Sequence, residues 1–369
     1  MKIAVLSSHT PSLFWFRMDM MQSFIANGYE VIAIGDEAEE KWQDAFNEKN
    51  IKYIKADISR NGTNPLNDLK TLRSLKKILK SERPDKIFAY QAKTVVYGGI
   101  AARLLGIKDV YSLIAGVGSV FLSTGLKAKI VRFILTTEYK IALKGSKRVF
   151  FQNGDDVDLF VANKIIKPEK VAMMNGSGVN LEKFTPFDLP SECAFLSISR
   201  LIKDKGVTEY LNAARIVKQQ YKNVRFMLVG PFDSNPSALK PEELQPYIDD
   251  GTVEYFGEQS DVKPYIDLCS VYVLPSYREG TPKTVLEAMA VGRAIITTDA
   301  PGCRETVTDG VNGFLVPVKD VEALAEKMIE MINSPDRVRQ MAAEGRKLVE
   351  QKYDVKIVNK NICETMKVI

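Results

Sequence analysis

Histidine and cysteine are scarce in this chain of 369 residues: one histidine, His9, and four cysteines, Cys193, Cys269, Cys303 and Cys363, far apart and without a CxxC pair. That scarcity argues against a zinc finger and against a disulfide framework, and it suits a reducing compartment such as the cytoplasm. Long apolar runs are missing too. The run Ile3 to Leu6 is too short for a secretory signal, and no stretch approaches the roughly 20 apolar residues of a membrane span. No low-complexity tract or basic segment interleaved with aromatics appears, so neither disorder nor nucleic-acid binding is expected. The turn after the first apolar run, SSHTPSLFWFR, lacks GxGxxG, which weighs against a dinucleotide-binding dehydrogenase.

What is present is an alternation. KIAVLSS, YEVIAIGD, IKYIKAD, DKIFAYQ, DVYSLIAG and KRVFFQNG are short β-rich runs separated by helical segments, the first helix running from Arg17 to Ala26 and stopping at Asn27-Gly28. Residues 176 to 192 then turn rich in Gly, Pro and acidic side chains, the composition of a linker. A second series follows in CAFLSISR, VRFMLVG, VEYFGE, VYVLPS and AIITTD, with helices expected over 320–333, 335–350 and 355–368. The expected fold class is α/β, with two doubly wound Rossmann-like domains at 1–185 and 186–352 and a last helical segment at 353–369.

The stretch VYVLPSYREGTPKTVLEAMAVG, residues 271 to 292, asks most clearly for a chemical explanation. It reads as strand, loop and helix, with Thr281 as N-cap and Pro282 at the first helical position. The unpaired amides of that first turn form a place for an anion such as phosphate. Two carboxylates flank it: Glu279 before the helix, and Glu287 five residues past Pro282, about 7.5 Å along the axis. Lys283 in the first turn opposes the helix dipole and makes more sense beside a bound anion. Read alone, these are two solvated glutamates and a surface lysine. Upstream, SRLIKDKGV places Arg200 and Lys205 at the carboxyl edge of the same predicted sheet, a pair of cations suited to a diphosphate.

Charge is unevenly spread. Residues 1–185 carry 28 Lys+Arg against 19 Asp+Glu, and the remainder 23 against 27, so the first half should face something anionic. Between Phe121 and Phe150 there are seven basic residues and one acidic, Glu138. In residues 126–144 Lys129, Arg132, Thr136 and Lys140 share a stripe, with Ile130, Ile134 and Ile141 on another. Two readings stand: a helix facing an anionic membrane or lipid phosphate, or a sheet-covering helix with a solvated basic face.

SRLIKDKGV followed by PSYREGTPKTVLEAMAVGRAIITTDAPGCRE resembles the nucleotide-sugar domain of the retaining family-4 glycosyltransferases of GT-B fold, the E-x7-E spacing of Glu279 and Glu287 being the most specific part. SRNGTNPLNDLKTLRSLKKIL, PDKIFAYQAKTVVYGGIAARLLGI, SLIAGVGSVF and NGSGVNLEKF resemble the subgroup that builds bacterial surface polysaccharides and lipid-linked oligosaccharides, including N-acetylgalactosaminyltransferases acting on undecaprenyl-diphosphate-linked acceptors.

The resemblance implies two domains facing a cleft, the last helix crossing back to the first, a UDP-sugar donor and a lipid-diphosphate-linked saccharide acceptor. It implies no cofactor and no metal, and a protein peripheral to the inner face of the cell membrane. Arg200 and Lys205 would hold the donor diphosphate, Glu279 the sugar hydroxyls and Glu287 the ribose hydroxyls. Gly280, Thr281 and Pro282, with Lys283, would form the donor-binding turn. His9, Arg17, Lys93, Gly116 and Gly118 are candidates for the cleft and acceptor side. Ala115 stands where many relatives carry a histidine. The acidic DDVD at 155–158 is explained by helix capping rather than as a metal-binding DxD. Competing readings are a UDP-sugar epimerase and a non-catalytic nucleotide-sugar-binding protein.

Overall fold

The computed structural model describes residues 1–59, 64–117, 125–233, 235 and 237–368. They divide into two compact units, Met1–Ser177 with Lys356–Ile369, and Gly178–Val355. Strands and helices alternate in each.

In the first unit the strands are β1 (Lys2–Leu6), β2 (Glu30–Gly35), β3 (Ile51–Lys55), β4 (Lys86–Tyr90), β5 (Asp109–Ile114), β6 (Arg148–Phe151) and β7 (Val171–Met173). They pair in parallel in the order β3-β2-β1-β4-β5-β6-β7. The helices are α1 (Thr10–Ala26), α2 (Glu39–Asn47), α3 (Pro65–Glu82), α4 (Ala92–Leu104), α5 (Leu126–Leu143) and α6 (Gly154–Ala162). Alternate strand residues feed two cores, as a sheet covered on both faces requires. Ala4 and Leu6 meet Leu75, Val95, Tyr139 and Phe160, whereas Ile3 and Val5 meet Leu13, Met21, Phe24 and Phe46.

The second unit holds β8 (Ala194–Ile198), β9 (Arg225–Val229), β10 (Glu254–Tyr255), β11 (Val271–Leu274), β12 (Ala294–Thr298) and β13 (Gly313–Val316), parallel in the order β10-β9-β8-β11-β12-β13. Its helices are α7 (Val207–Gln220), α8 (Pro241–Asp249), α9 (Lys263–Asp267), α10 (Lys283–Val291), α11 (Val321–Asn333) and α12 (Pro335–Leu348). The last helix, α13 (Val355–Met366), contributes Val358, Ile362, Cys363 and Met366 to the first unit's core.

Several elements depart from the sequence expectation. Helix α1 starts at Thr10 and not at Arg17, because Pro11 sits in its first turn and the aromatic run Leu13 to Phe16 continues the helix. Strands β7 and β13 were not expected. The first is three residues long and largely uncovered, and the second, GFLV, follows Asn312-Gly313 in a stretch dominated by turn residues. The units change at Ser177/Gly178 rather than 185/186, since Val179 and Phe184 pack with Ala194 and Leu196 and the Val179 amide donates to the Tyr353 carbonyl (2.9 Å). Arg293, fully buried, holds this linker in place. Its guanidinium donates to the carbonyls of Phe187 (2.8 Å) and Asp188 (3.2 Å) as well as Ile266 (2.9 Å) and Asp267 (3.1 Å).

Both sheets reverse strand order once, at β1/β4 and at β8/β11. At the carboxyl edge of such a reversal the two outgoing loops diverge and leave a crevice, where open α/β sheets bind ligands.

Candidate active site

At the β8/β11 reversal the two loops are tied together. The Asp204 carbonyl accepts from the Tyr277 amide (2.9 Å) and the Ser276 hydroxyl (3.1 Å). Gly206 adopts φ +69, and a Cβ there would lie 2.1 Å from the Pro275 carbonyl oxygen, so only glycine permits this approach. The result is that the Lys205 ammonium meets the Glu279 carboxylate in an ion pair, with side chains 21% and 12% exposed. Glu279 is braced from its other side. Its amide donates to the Pro301 carbonyl (2.8 Å), and Gly302, at φ +83, packs where a Cβ would be 2.2 Å from the Glu279 carbonyl oxygen.

Tyr272 of β11 stitches the floor of the site, its hydroxyl contacting the Ile198 carbonyl (3.0 Å) and the Thr284 hydroxyl (2.6 Å) in the first turn of α10. Burial pushes its phenol up, and the charges of Glu287 and Glu279 add to the rise. Glu287 is buried at 6% exposure, its nearest cation being Lys283 at 3.7 Å. Burial raises its pKa above the ordinary carboxylate value, and the Lys283 charge opposes that only in part. The N-cap of α10 is Pro282 and not Thr281. Its carbonyl accepts from the Val285 (3.1 Å) and Leu286 (3.3 Å) amides, the cap's role, and Lys283 takes the first helical position. Gly280 and Thr281 are half-buried in the turn just before it.

Arg200 is not brought to this pair. Its guanidinium binds Asp233 (2.7 Å) and its side chain is 48% exposed.

The candidates in the first unit take separate partners. His9 caps α1, its carbonyl accepting from the Ser12 amide (3.0 Å) and hydroxyl (2.7 Å). Lys93 is ion-paired with Asp68. Gly116 follows β5 at φ +135 and is exposed, and Gly118 lies outside the described residues. Arg17 is buried at 3% exposure over the Tyr90 ring, 4.9 Å from its centroid.

Gln91, which pattern reading passed over, organises the β1/β4 reversal. Its Oε1 accepts from the Ser7 hydroxyl (2.9 Å), the Ser8 amide (2.9 Å) and the Ser8 hydroxyl (2.8 Å). Its backbone is left-handed at φ +72, a strained state for a side chain without glycine's freedom and a recurrent mark of functional sites. No sequence signal announces it. Asp156, in the acidic DDVD, is buried, and its amide donates to the Asn153 side-chain oxygen (2.8 Å), so the cap is Asn153. Among the described residues no cluster of three His, Cys, Asp or Glu is arranged to hold a metal, and no helix is long and apolar enough to cross a membrane.

Known proteins resemble this chain in sequence and fold. Residues 2–153 match the family model described as glycosyl transferase 4-like, and residues 192–334 match glycosyl transferases group 1. The chain is 31% identical to N,N'-diacetylbacillosaminyl-diphospho-undecaprenol alpha-1,3-N-acetylgalactosaminyltransferase of Campylobacter jejuni, over 97% of this chain and 96% of that protein. It is 26% identical to UDP-Gal:alpha-D-GlcNAc-diphosphoundecaprenol alpha-1,3-galactosyltransferase of Escherichia coli, over 72% and 71% of the two. Anabaena Alr3699/HepE, solved with UDP and glucose, superposes with a TM-score of 0.78 at 18% identity, covering 100% of both chains. Sucrose-phosphate synthase of Thermosynechococcus elongatus gives 0.80 at 18%, covering 100% and 98%; these two carry the fold, GT-B. Kinship along nearly the full length, two family models and two parallel α/β units together show that the chain belongs to the group 1, family-4-like glycosyltransferases.

Proposed function

We propose that this glycosyltransferase moves a hexose or N-acetylhexosamine from a UDP-sugar to an undecaprenyl-diphosphate-linked saccharide, with retention at the anomeric carbon and without a metal ion. The observation that carries the donor side is the Lys205–Glu279 ion pair at the β8/β11 reversal, with Glu287 buried on the helix that follows. The acceptor class rests on the relatives from Campylobacter jejuni and Escherichia coli, both named for diphosphoundecaprenol acceptors.

In this reading the bond between the sugar C1 and the β-phosphate oxygen breaks, and its electron pair stays with UDP. Lys205 turns from Glu279 toward that developing charge, and Arg200 swings from Asp233 to join it. The acceptor hydroxyl oxygen bonds to C1 on the face the UDP leaves, and its proton passes to the departing β-phosphate oxygen. Glu279, released, accepts from the sugar hydroxyls, and Glu287 accepts from the ribose hydroxyls.

Helix α5 would seat the enzyme on the membrane. Leu126, Ile130, Phe133, Ile134 and Ile141 are 44–76% exposed and fall along one helical stripe, while Tyr139, Ala142 and Leu143 do the core packing. The sheet-covering alternative leaves those exposed side chains unexplained. Lys129, Lys140 and Lys144, all exposed, supply the charge for anionic headgroups.

The test is UDP release from a panel of UDP-sugars, in EDTA, with undecaprenyl-diphosphate-linked mono- and disaccharides. Acceptor-dependent release, with an α-linked product by NMR, is the expected result. Conversion of a UDP-sugar without acceptor would instead indicate an epimerase, and UDP-sugar binding without turnover on any acceptor a non-catalytic binder.

A further inference from the structure

Arg17 is a charge in the wrong place for a purely structural residue. It lies on α1, 97% out of solvent, yet no carboxylate pairs with it among the described residues and its Nε has no hydrogen-bond acceptor. Among the described residues its guanidinium has only the face of Tyr90 as a partner, a weak one for a desolvated cation. Burial lowers its pKa, and only Tyr90 offsets that. A buried cation without a counter-charge is costly, and an anionic ligand would offset that cost.

Its surroundings are built rather than incidental. Helical side chains lean toward the helix N-terminus, so a long side chain at position 17 delivers its head group back toward the carboxyl edge of the sheet. There Tyr90 is fixed from two sides, its ring beneath Arg17 and its hydroxyl on the Ser12 hydroxyl (2.8 Å). The next residue is Gln91, strained at φ +72 and pinned to Ser7, Ser8 and Ser12. Gln91 is also the N-cap of α4, whose first amides therefore open at the same reversal. A buried planar cation, a strained cap and a helix N-terminus at one strand reversal suit phosphate oxygens, not a neutral sugar.

We infer that Arg17 binds a phosphate of the acceptor's diphosphate at the β1/β4 reversal, and this rests on the acceptor class proposed above. Arg17 thus serves the acceptor's phosphates while Lys205 serves the donor's. The test compares wild type with Arg17→Met, which removes the charge, and Arg17→Lys, which keeps it without the planar fork. Removing an uncompensated buried charge should leave the melting temperature of the unliganded protein unchanged or higher. The KM for a prenyl-diphosphate-linked N-acetylhexosamine should rise roughly ten- to a hundredfold in Arg17→Met and less in Arg17→Lys, with the Kd for UDP within about twofold of wild type.

A lower melting temperature with unchanged acceptor KM overturns the inference and makes Arg17 structural. A raised UDP Kd with unchanged acceptor KM overturns it in favour of the donor diphosphate. Should Arg17→Met not fold, an unchanged acceptor KM in Arg17→Lys overturns it equally. If wild type ignores every diphosphate-linked saccharide, the proposed function fails, and inorganic diphosphate added with saturating UDP decides Arg17 separately. Thermal protection of wild type but not of Arg17→Lys or Arg17→Met supports the site, and equal protection overturns it.

Discussion

Lys205 and Glu279 neutralise each other in the unliganded protein, so an incoming diphosphate competes with a carboxylate for one ammonium. Cations aimed at a leaving group's charge contribute more to such catalysis than any other device, and deleting one donor costs roughly 10² to 10³ in turnover. Lys205→Ala should therefore lower kcat by that factor with the fold intact by circular dichroism; a loss below about tenfold would remove Lys205 from the reaction. Glu287 gives a prediction of different sign. Its folded pKa is raised by burial, so its contribution to stability is full below the ordinary carboxylate value and fades as pH rises through the folded pKa. Glu287→Gln should melt at a higher temperature than wild type, by a margin that grows between about pH 4 and pH 7, while UDP affinity falls roughly ten- to a hundredfold. A margin independent of pH would contradict the burial argument. These residues were legible in the sequence because cations and carboxylates at fixed spacing after a strand are a local pattern. Gln91 was not, since a left-handed backbone at a non-glycine residue is imposed by neighbours distant in the chain.

Helix α5 shows where periodicity stops being enough. Its apolar stripe is visible in the sequence, but a stripe facing a sheet and a stripe facing a membrane look the same there. Exposure shows that Phe133, 74% accessible, and Leu126, 76% accessible, are not packed against the sheet. Burying one large apolar side chain is worth about 1.5–3 kcal/mol. Phe133→Glu should accordingly weaken binding to phosphatidylglycerol-containing vesicles by roughly tenfold or more, with the melting temperature unchanged; sedimentation showing equal binding would detach α5 from the membrane. The start of α1 was misplaced for a related reason. Thr10-Pro11 is a good helix start, yet the run of aromatics after it masks the polar spacing by which an amphipathic helix is recognised.

At the scale of the molecule, α13 lies 355 residues from the start of the chain and completes the core of the unit that begins it. Ile362, 1% exposed, sits in the same cluster as Ile3, Phe24 and Tyr111, and the Tyr111 hydroxyl donates to the Met366 carbonyl (3.1 Å). Ile362→Ala should cost about 2–5 kcal/mol, and hydrogen exchange should show the loss within residues 1–177. Faster exchange confined to 178–355 would contradict this packing. The alternation of strands and helices, the two-unit plan and the spacing of Glu279 and Glu287 were determined by the sequence alone, because each depends on residues near one another along the chain. Only the tertiary structure decided that Arg200 rests on Asp233, that Arg17 is buried without a counter-charge, that α5 leaves its stripe uncovered and where the unit boundary falls. Those outcomes depend on which distant segments meet, and burial, which sets the worth of every charge, exists only once they have met.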